Sequence, residues 1–575
     1  MLDAFVEGIE ARFTQDTVVL TSAIMNILRL TANYEEIDVV TKYFDVESDS
    51  LWAELLLLKA QVSTEHIKLA RSVWTAALLS TVVVLCISWV VKRRHQQRLF
   101  RRYGIPGPVP SILFGNWKQL KEDRLKVMDD WIQEYGKVFG FYEGELPKVV
   151  ISDLDMIKEC FVKEAHMFRD RMPLIIEVEP IKSSLLALRG DEWKRVRSVL
   201  NPTFSSAKMK LMSQVMNACG NTLVEVMSER LAVGQDTIDV TKTSQALSMD
   251  VITKCALAWQ VDCQRNVDDP TLRLLQRIFL EVDQRMMASA VAIPILRKIY
   301  AWIFPLITYG KMLLQIADNL RNVIAVRSAE REGKQGSSVD IIQLMLDSRI
   351  EAAHQGSDKV EITDRHLVAN CFVFLAGGFE TTATTLAFLL YELARHPEEQ
   401  DNLYQEVKSQ LTESSVHLGY DDVQKLKRMD AVISECLRLY PPIVLFTARV
   451  CARDTPIAGY TMPAGAHVIL PTWHVHHNPN IWPEPHKFIP DRFLSDSGQE
   501  ERRHAAAYVP FGLGPRECIG RRFALLELKT VLAKLVRTYV FSVCDDADDP
   551  IKLTVPTVTL NPVRNIKLRV TRRSS

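Results

Sequence analysis

Residues 510–520 read PFGLGPRECIG, and the reading of Cys518 in this stretch decides the rest. Gly512 and Gly514 permit positive φ or a close backbone approach, as a loop passing tightly against a flat cofactor requires. Arg516 places a guanidinium two residues before the cysteine. Gly520 opens RRFALLELKTVLAKLV, whose apolar periodicity is that of an amphipathic helix. Cys518 therefore precedes a helix N-terminus, where the dipole and unpaired N–H groups favour a thiolate. The ten cysteines, at 86, 160, 219, 255, 263, 371, 436, 451, 518 and 544, include no CxxC pair and no zinc-site spacing. Such scatter indicates reduced thiols in the cytosol, most of them small apolar core residues. A thiolate held as Cys518 is suits ligation of haem iron.

Working outward, the 575-residue chain is 47% hydrophobic, which indicates a globular protein with a large core. Lys plus Arg equals Asp plus Glu at 70 each, so nothing supports a whole-chain nucleic-acid binder. Val73–Val91, VWTAALLSTVVVLCISWVV, carries no charge. At ~1.5 Å per residue it spans about 28 Å, close to a bilayer's hydrocarbon core. Trp74 and Trp89 lie near its ends, and KRRHQQRLFRR follows as a basic stop-transfer flank. Residues 1–72 form an acid-rich extension without an assigned role. Residues 92–110 make a basic flank and a proline-stiffened linker, with Pro106, Pro108 and Pro110. The folded body runs over 104–575.

The body reads as mainly α with small β-sheets. DRLKVMDDWIQEYG is a helix stopped at Gly136, and KVFGFYEGELPKVVISD is a hairpin. IKLTVPTVTL and NIKLRV are expected to pair as a terminal hairpin. Residues 286–307 are long and apolar, but Pro294, Arg297 and Lys298 make them a surface-dipping segment rather than a span. A long helix covers about Thr363 to His396. Within it Gly377 and Gly378 cost roughly 1 kcal/mol each, which suggests a loosened hydrogen-bond ladder. Glu380 and Thr381 follow, a carboxyl and a hydroxyl in an otherwise apolar helix.

Phe511, Gly514, Arg516, Cys518 and Gly520 at their spacing resemble the haem-binding loop of the cytochrome P450 family. Two further features fit. Glu435-x-x-Arg438, followed by Pro441-Pro442, resembles the family's structural ion pair, with Arg492 of FIPDRF as its third member. FLAGGFETTATTLAF, residues 374–388, resembles its oxygen-activation groove. The resemblance covers nearly everything from Gly104 onward. It lies nearest the membrane-bound xenobiotic- and steroid-metabolising branch, including subfamily three and thromboxane synthase.

It implies an α-rich domain plus a small β domain behind an N-terminal transmembrane helix, with haem b ligated by Cys518. Trp193, Arg197, Arg449 and Arg516 would meet the haem propionates. Thr381 and Glu380 would deliver protons during dioxygen cleavage. Phe372, Leu375, Ala376, Ile443, Val444, Leu445, Phe446 and Val558 would line a pocket for a lipophilic xenobiotic, steroid or fatty acid. The implied partners are an NADPH-dependent flavoprotein reductase and, as an additional donor, cytochrome b5. Arg502, Arg503, Arg521, Arg522 and Lys529 are candidates for the docking face. The implied location is the endoplasmic reticulum membrane, single-pass, with the catalytic domain facing the cytosol. Two other readings stay open: a haem-thiolate isomerase or dehydratase, against which the intact Glu380-Thr381 argues, and a non-catalytic haem sensor. The WHVHHNP stretch lacks the spacing of a helical zinc site, so it is not read as a metal centre.

Overall fold

The computed structural model describes Asn33, Glu35, Asp38, Trp52, Ala53, Leu56 and residues 64–574, apart from 258, 334–340, 344, 348–361, 411–417, 446, 495–502, 545–547 and 557. Most of the acid-rich extension thus lies outside the described residues, as do Phe446 and Arg502. The chain divides into two compact units, residues 1–92 and 93–575. Helix α1, Thr64–Gln96, contains an apolar stretch of mean hydropathy 2.1, none of it buried.

In the second unit the helices that matter for the site are α2 (Arg124–Tyr135), α3 (Gly190–Leu200), α4 (Ser206–Ala232), α5 (Val240–Ala256), α6 (Pro270–Leu280), α7 (Gln284–Ala292), α8 (Ile295–Ile303), α9 (Asp364–Arg395), α10 (Lys427–Leu439) and α11 (Arg521–Thr538). The strands followed below are β1 (Val138–Glu143), β2 (Leu146–Ile151), β3 (Thr237–Asp239), β4 (Ala448–Val450), β5 (His467–Ile469), β6 (Tyr539–Val543), β7 (Leu553–Thr554), β8 (Asn561–Pro562) and β9 (Lys567–Arg572); Thr455–Ile457 and Tyr460–Met462 form a further antiparallel pair.

Local chemistry explains the boundaries. Asp123 caps α2 by accepting the Lys126 N–H, and Gly136 ends the helix at φ +89°. β1 and β2 pair antiparallel around the Gly144-Glu145 turn; at Gly144 φ is +63°, and a Cβ would fall 2.1 Å from the Val291 oxygen. β5 joins β2 in parallel and β4 antiparallel, giving a sheet ordered β1-β2-β5-β4. A second sheet is ordered β3-β9-β6. The expected terminal hairpin is therefore corrected: the NIKLRV strand, β9, pairs with β6 and β3, while β7 pairs only with the short β8.

Helix α9 is the spine. Thr363 and His366 form a capping box at its start, and His396, before Pro397, closes it. Although α9 is long and apolar enough to cross a membrane, 72% of its apolar stretch is buried within the fold. The helix is continuous through Gly377 and Gly378, so the expected loosening of its ladder is not found. Gly378 has a packing reason instead, since a Cβ there would sit 2.7 Å from Ile252 Cδ1 on α5; at Gly377 nothing lies within 4 Å.

The basic flank also departs from a purely solvated reading. Arg93 is 1% exposed. Its guanidinium donates to the carbonyls of Ile112 at 3.1 Å and Ala292 at 2.7 Å and pairs with Glu145 at 3.3 Å. It thereby ties the linker, the β1–β2 turn and the end of α7 together.

Candidate active site

Cys518 follows a single 3-10 turn, Gly514–Arg516, and precedes α11, whose N-cap is Gly520. The Cys518 N–H donates to the Phe511 carbonyl at 2.9 Å. Gly512 and Gly514 adopt φ +78° and +75°, and at Gly514 a Cβ would lie 1.9 Å from the Phe161 oxygen. The tight approach expected at this glycine is thus to the chain itself. The sulfur opens onto a cleft of about 510 Å³ walled by Arg197, Asn201, Phe204, Ile519, Arg521 and Leu525. Phe204 meets Phe374 of α9 edge-on at 6.0 Å, joining the cleft wall to the spine helix. Surrounding protein desolvates the Cys518 thiol and raises its pKa; the Gly520 N–H, Arg171 and Arg197 oppose this. The helix terminus thus favours the thiolate through the Gly520 N–H, as the sequence indicates, but desolvation outweighs it.

Four arginines gather near this cleft. Arg516 donates to the carbonyls of Arg169 at 3.1 Å and Leu188 at 2.9 Å, meets Asp170 at 3.2 Å, and lies 3.9 Å over the Trp193 ring. Arg197 donates to Glu517 O at 3.0 Å, and Arg449 to Ala448 O at 2.8 Å and Leu513 O at 3.3 Å. The fourth, Arg171, donates to Arg516 O at 3.0 Å. The sequence reading missed it because it comes from an irregular stretch, FRDRMP, with no spacing signal. Burial, followed by mutual repulsion, drives Arg516 down to about 9 and Arg449 well below the usual arginine range. Arg171 falls to about 10, chiefly through burial. Guanidiniums that meet mainly carbonyl oxygens and each other suit a ligand bearing more than one carboxylate.

On α9, Thr381 is half-buried and its Oγ1 donates to the Gly377 carbonyl at 2.7 Å. Glu380 is 2% exposed and is pushed up to about 7 by burial, against hydrogen bonds from Gln245 and Asn561.

The cytochrome P450 family matches residues 105–570 of this sequence. The chain belongs to that family. It is 32% identical to human cytochrome P450 3A5 over 86% of this chain and 97% of the relative. It is also 33% identical to rat cytochrome P450 3A2 over 87% and 98%, and 32% identical to mouse cytochrome P450 3A41 over 87% and 98%. As a member it is a haem-thiolate monooxygenase whose cofactor is cysteine-ligated haem b. The residues present fit that group: an accessible cysteine sulfur beside a helix N-terminus, with an excess of guanidiniums for its two propionates.

Elsewhere in this P450, Arg438 grips Glu435 with two hydrogen bonds of 2.8 Å, and Arg492 adds a third at 3.3 Å. The Ile489 N–H also donates to Glu435 at 2.9 Å, and Arg438 reaches the carbonyls of His476, Pro485 and Lys487. All three charged residues are at most 5% exposed.

The residues expected to line the pocket are placed differently from one another. Phe372, Leu375 and Val444 are packed into the interior at 3%, 0% and 0% exposure. The more open face of α9 instead carries Val373, Ala376, Gly377 and Thr381. Ile443 bridges to Thr559, Leu445 packs on the cluster containing Trp131 and Phe139, and Val558 is exposed.

The docking candidates also divide. Lys529 is buried against Asp430, and Arg503 stacks over Trp482 and Phe493. Arg522 is engaged by the Phe204 carbonyl, Ser206 and Tyr420, which leaves Arg521 as the most open described candidate. In the WHVHHNP stretch, His476 Nε2 accepts the Val509 N–H, His477 stacks on Trp473 at 3.9 Å, and His474 pairs with Asp129. These are structural contacts.

Proposed function

We propose that this P450 inserts one oxygen atom of dioxygen into a lipophilic substrate, a xenobiotic, steroid or fatty acid, using NADPH electrons passed on by a flavoprotein reductase and, as a further donor, cytochrome b5. What supports this reading is the pairing of an open Cys518 cleft with an acid and a hydroxyl on α9, whose Phe374 meets Phe204 of the cleft wall.

When bound, haem b supplies dioxygen activation and oxygen transfer. Cys518 would hold its iron through the sulfur, with Phe511, Gly514 and Gly520 shaping the loop. Trp193, Arg197, Arg449, Arg516 and Arg171 would hold the propionates, while Glu435, Arg438 and Arg492 brace the scaffold. Thr381 would pass protons at the open face of α9, with Glu380 as their source. Ala376 and Gly377, together with Ile443, Leu445, Phe446 and Val558, would border an apolar substrate space. With no convergent charge there, a carboxylate-gripping specificity is not favoured.

Residues 73–91 would span the endoplasmic reticulum membrane once, after an extension 1–72 of unassigned role. Residues 92–110 would link the span to a cytosolic catalytic domain, 104–575. On that domain Ile295, Ile299, Trp302 and Leu306 are exposed, which suits contact with lipid headgroups.

The decisive experiment is the carbon-monoxide difference spectrum of the reduced protein, with Cys518→Ser as control. A thiolate-type Soret band lost in the variant is expected. A histidine-type band in the wild type would overturn the assignment. NADPH oxidation coupled to product only with added reductase separates the monooxygenase from an isomerase or a sensor.

A further inference from the structure

Several acids of this protein are buried, and most meet a cation. Glu143 meets Lys148, Asp250 meets Lys254, Glu392 meets Arg395 and His396, and Glu435 meets two arginines. Among the described residues, Glu380 and Glu527 differ: the groups that reach them are neutral. Both take hydrogen bonds from α5, one turn apart, Glu380 from Gln245 and Glu527 from Ser248.

The Glu380 arrangement extends further. Gln245 Nε2 donates to Glu380 Oε2 at 3.5 Å, and Gln276 Nε2 on α6 donates to Gln245 Oε1 at 2.9 Å. Both amides are half-buried, so the string runs from a buried carboxyl towards the surface. At each step the amide farther from Glu380 donates to the group nearer it. Gln276 and Phe279 share a face of α6, three residues apart, and the Phe279 ring lies 6.3 Å from that of Phe379. One helix face is thus keyed twice to the adjacent pair Phe379-Glu380. On the other side Asn561 of β8 also bonds Glu380 and accepts from Thr384 at 3.3 Å. No charged side chain from α5, α6, β8 or α9 itself enters this arrangement among the described residues. Glu380 and Thr381 leave the helix about 100° apart, so the carboxyl sits at the α5 side while the hydroxyl lies on the more open face.

We propose that Gln245, held in turn by Gln276, is the positioning residue of Glu380 and keys the placement of this acid to helix α6. The proposal rests on the reading of Glu380 as the proton source. A neutral donor suits that task. A cation in place of Gln245 would keep the carboxyl ionised, whereas an apolar side chain would leave Asn561 to direct it alone. A movement of α6 would draw on Gln276 and Phe279 together and so alter where the carboxyl points.

The test uses full-length haem-loaded protein with Gln245→Leu, Gln245→Met, Gln276→Leu and Glu380→Gln. The first readout is the infrared band of the protonated Glu380 carboxyl as pH is raised, identified by its absence in Glu380→Gln. Losing the Gln245 donor removes a bond that favours the ionised form, so the midpoint should rise by about one pH unit. In Gln276→Leu it should move the same way by less. The second readout is the split of NADPH electrons between product and hydrogen peroxide with added reductase; both Gln245 variants should raise the peroxide share severalfold. Gln245→Met keeps side-chain length should Gln245→Leu fail to fold. If Glu380→Gln changes the peroxide share while both Gln245 variants keep wild-type midpoints and wild-type coupling, the positioning role is wrong and the proton-source reading survives. If Glu380→Gln itself leaves coupling unchanged, the proton-source reading falls.

Discussion

Two clusters of arginine in this P450 differ in how completely they are answered. Arg438 and Arg492 surround Glu435, and the carboxylate is gripped from three sides. Arg171, Arg197, Arg449 and Arg516 are bonded largely to main-chain carbonyls, with Asp170 and Glu517 as the nearby carboxylates, and burial lowers the pKa of each. A cluster built round a buried carboxylate that both guanidiniums grip reads as scaffold. One left with surplus positive charge in a buried place is a receptor for an anion.

The largest expected effect breaks the closed cluster. Glu435→Ala leaves Arg438 and Arg492 facing each other in the interior, and should cost about 3–5 kcal/mol, read as a large drop in the denaturant midpoint and loss of folded protein. A wild-type midpoint would mean the ion pair is not structural.

The second prediction concerns an incomplete acid. Glu527 is fully buried, takes one hydrogen bond, from Ser248, and is raised to about 8 by burial. Its folded pKa exceeds its unfolded value, so between about pH 4.5 and 8 the folded state binds the extra proton, and stability falls as pH rises through that window. Glu527→Gln should flatten the fall and be about 4 kcal/mol more stable than wild type near pH 8. Parallel stability–pH curves for the two proteins would contradict this.

The third sharpens the open cluster. Arg449→Met removes a desolvated cation repelled by Arg171 and Arg516. Thermal stability of the haem-free protein should hold or rise slightly, while haem affinity falls roughly tenfold, about 1.4 kcal/mol. Opposite signs in the two measurements are the signature; a loss in both would class Arg449 with the scaffold.

The smallest effect separates the paired glycines. Gly377→Ala meets nothing within 4 Å and should stabilise α9 by up to about 1 kcal/mol. Gly378→Ala presses on Ile252 and should lose that gain. Equal thermal shifts in the two variants would refute the packing account.

Much of this was legible in the sequence, because the signals are local. The Cys518 loop, the Gly136 stop, the β1–β2 turn and the Glu435–Arg438 spacing each depend on neighbours within a few residues. What was not legible depends on distant partners. Arg171 joins the other arginines only through the fold, and β9 finds β3 more than 300 residues away in preference to the strand beside it. Lys529 looked like surface charge, yet α11 is enclosed along much of its length, and Glu527, Thr530 and Lys534 are buried on it as well. Phe372 and Leu375 illustrate the same dependence: an apolar residue on an interior helix carries no mark of which neighbour it faces.

Arg93 has a practical corollary for anyone shortening the chain. A water-soluble version trimmed at the end of helix α1, after Gln96, would discard the guanidinium that bonds the Ile112, Leu113 and Ala292 carbonyls and Glu145, leaving Glu145 to Arg297 and the Ala292 carbonyl without that donor. Trimming before Lys92 removes the greasy stretch and keeps the guanidinium, so a difference of five residues at the cut should decide whether the β1–β2 corner stays closed.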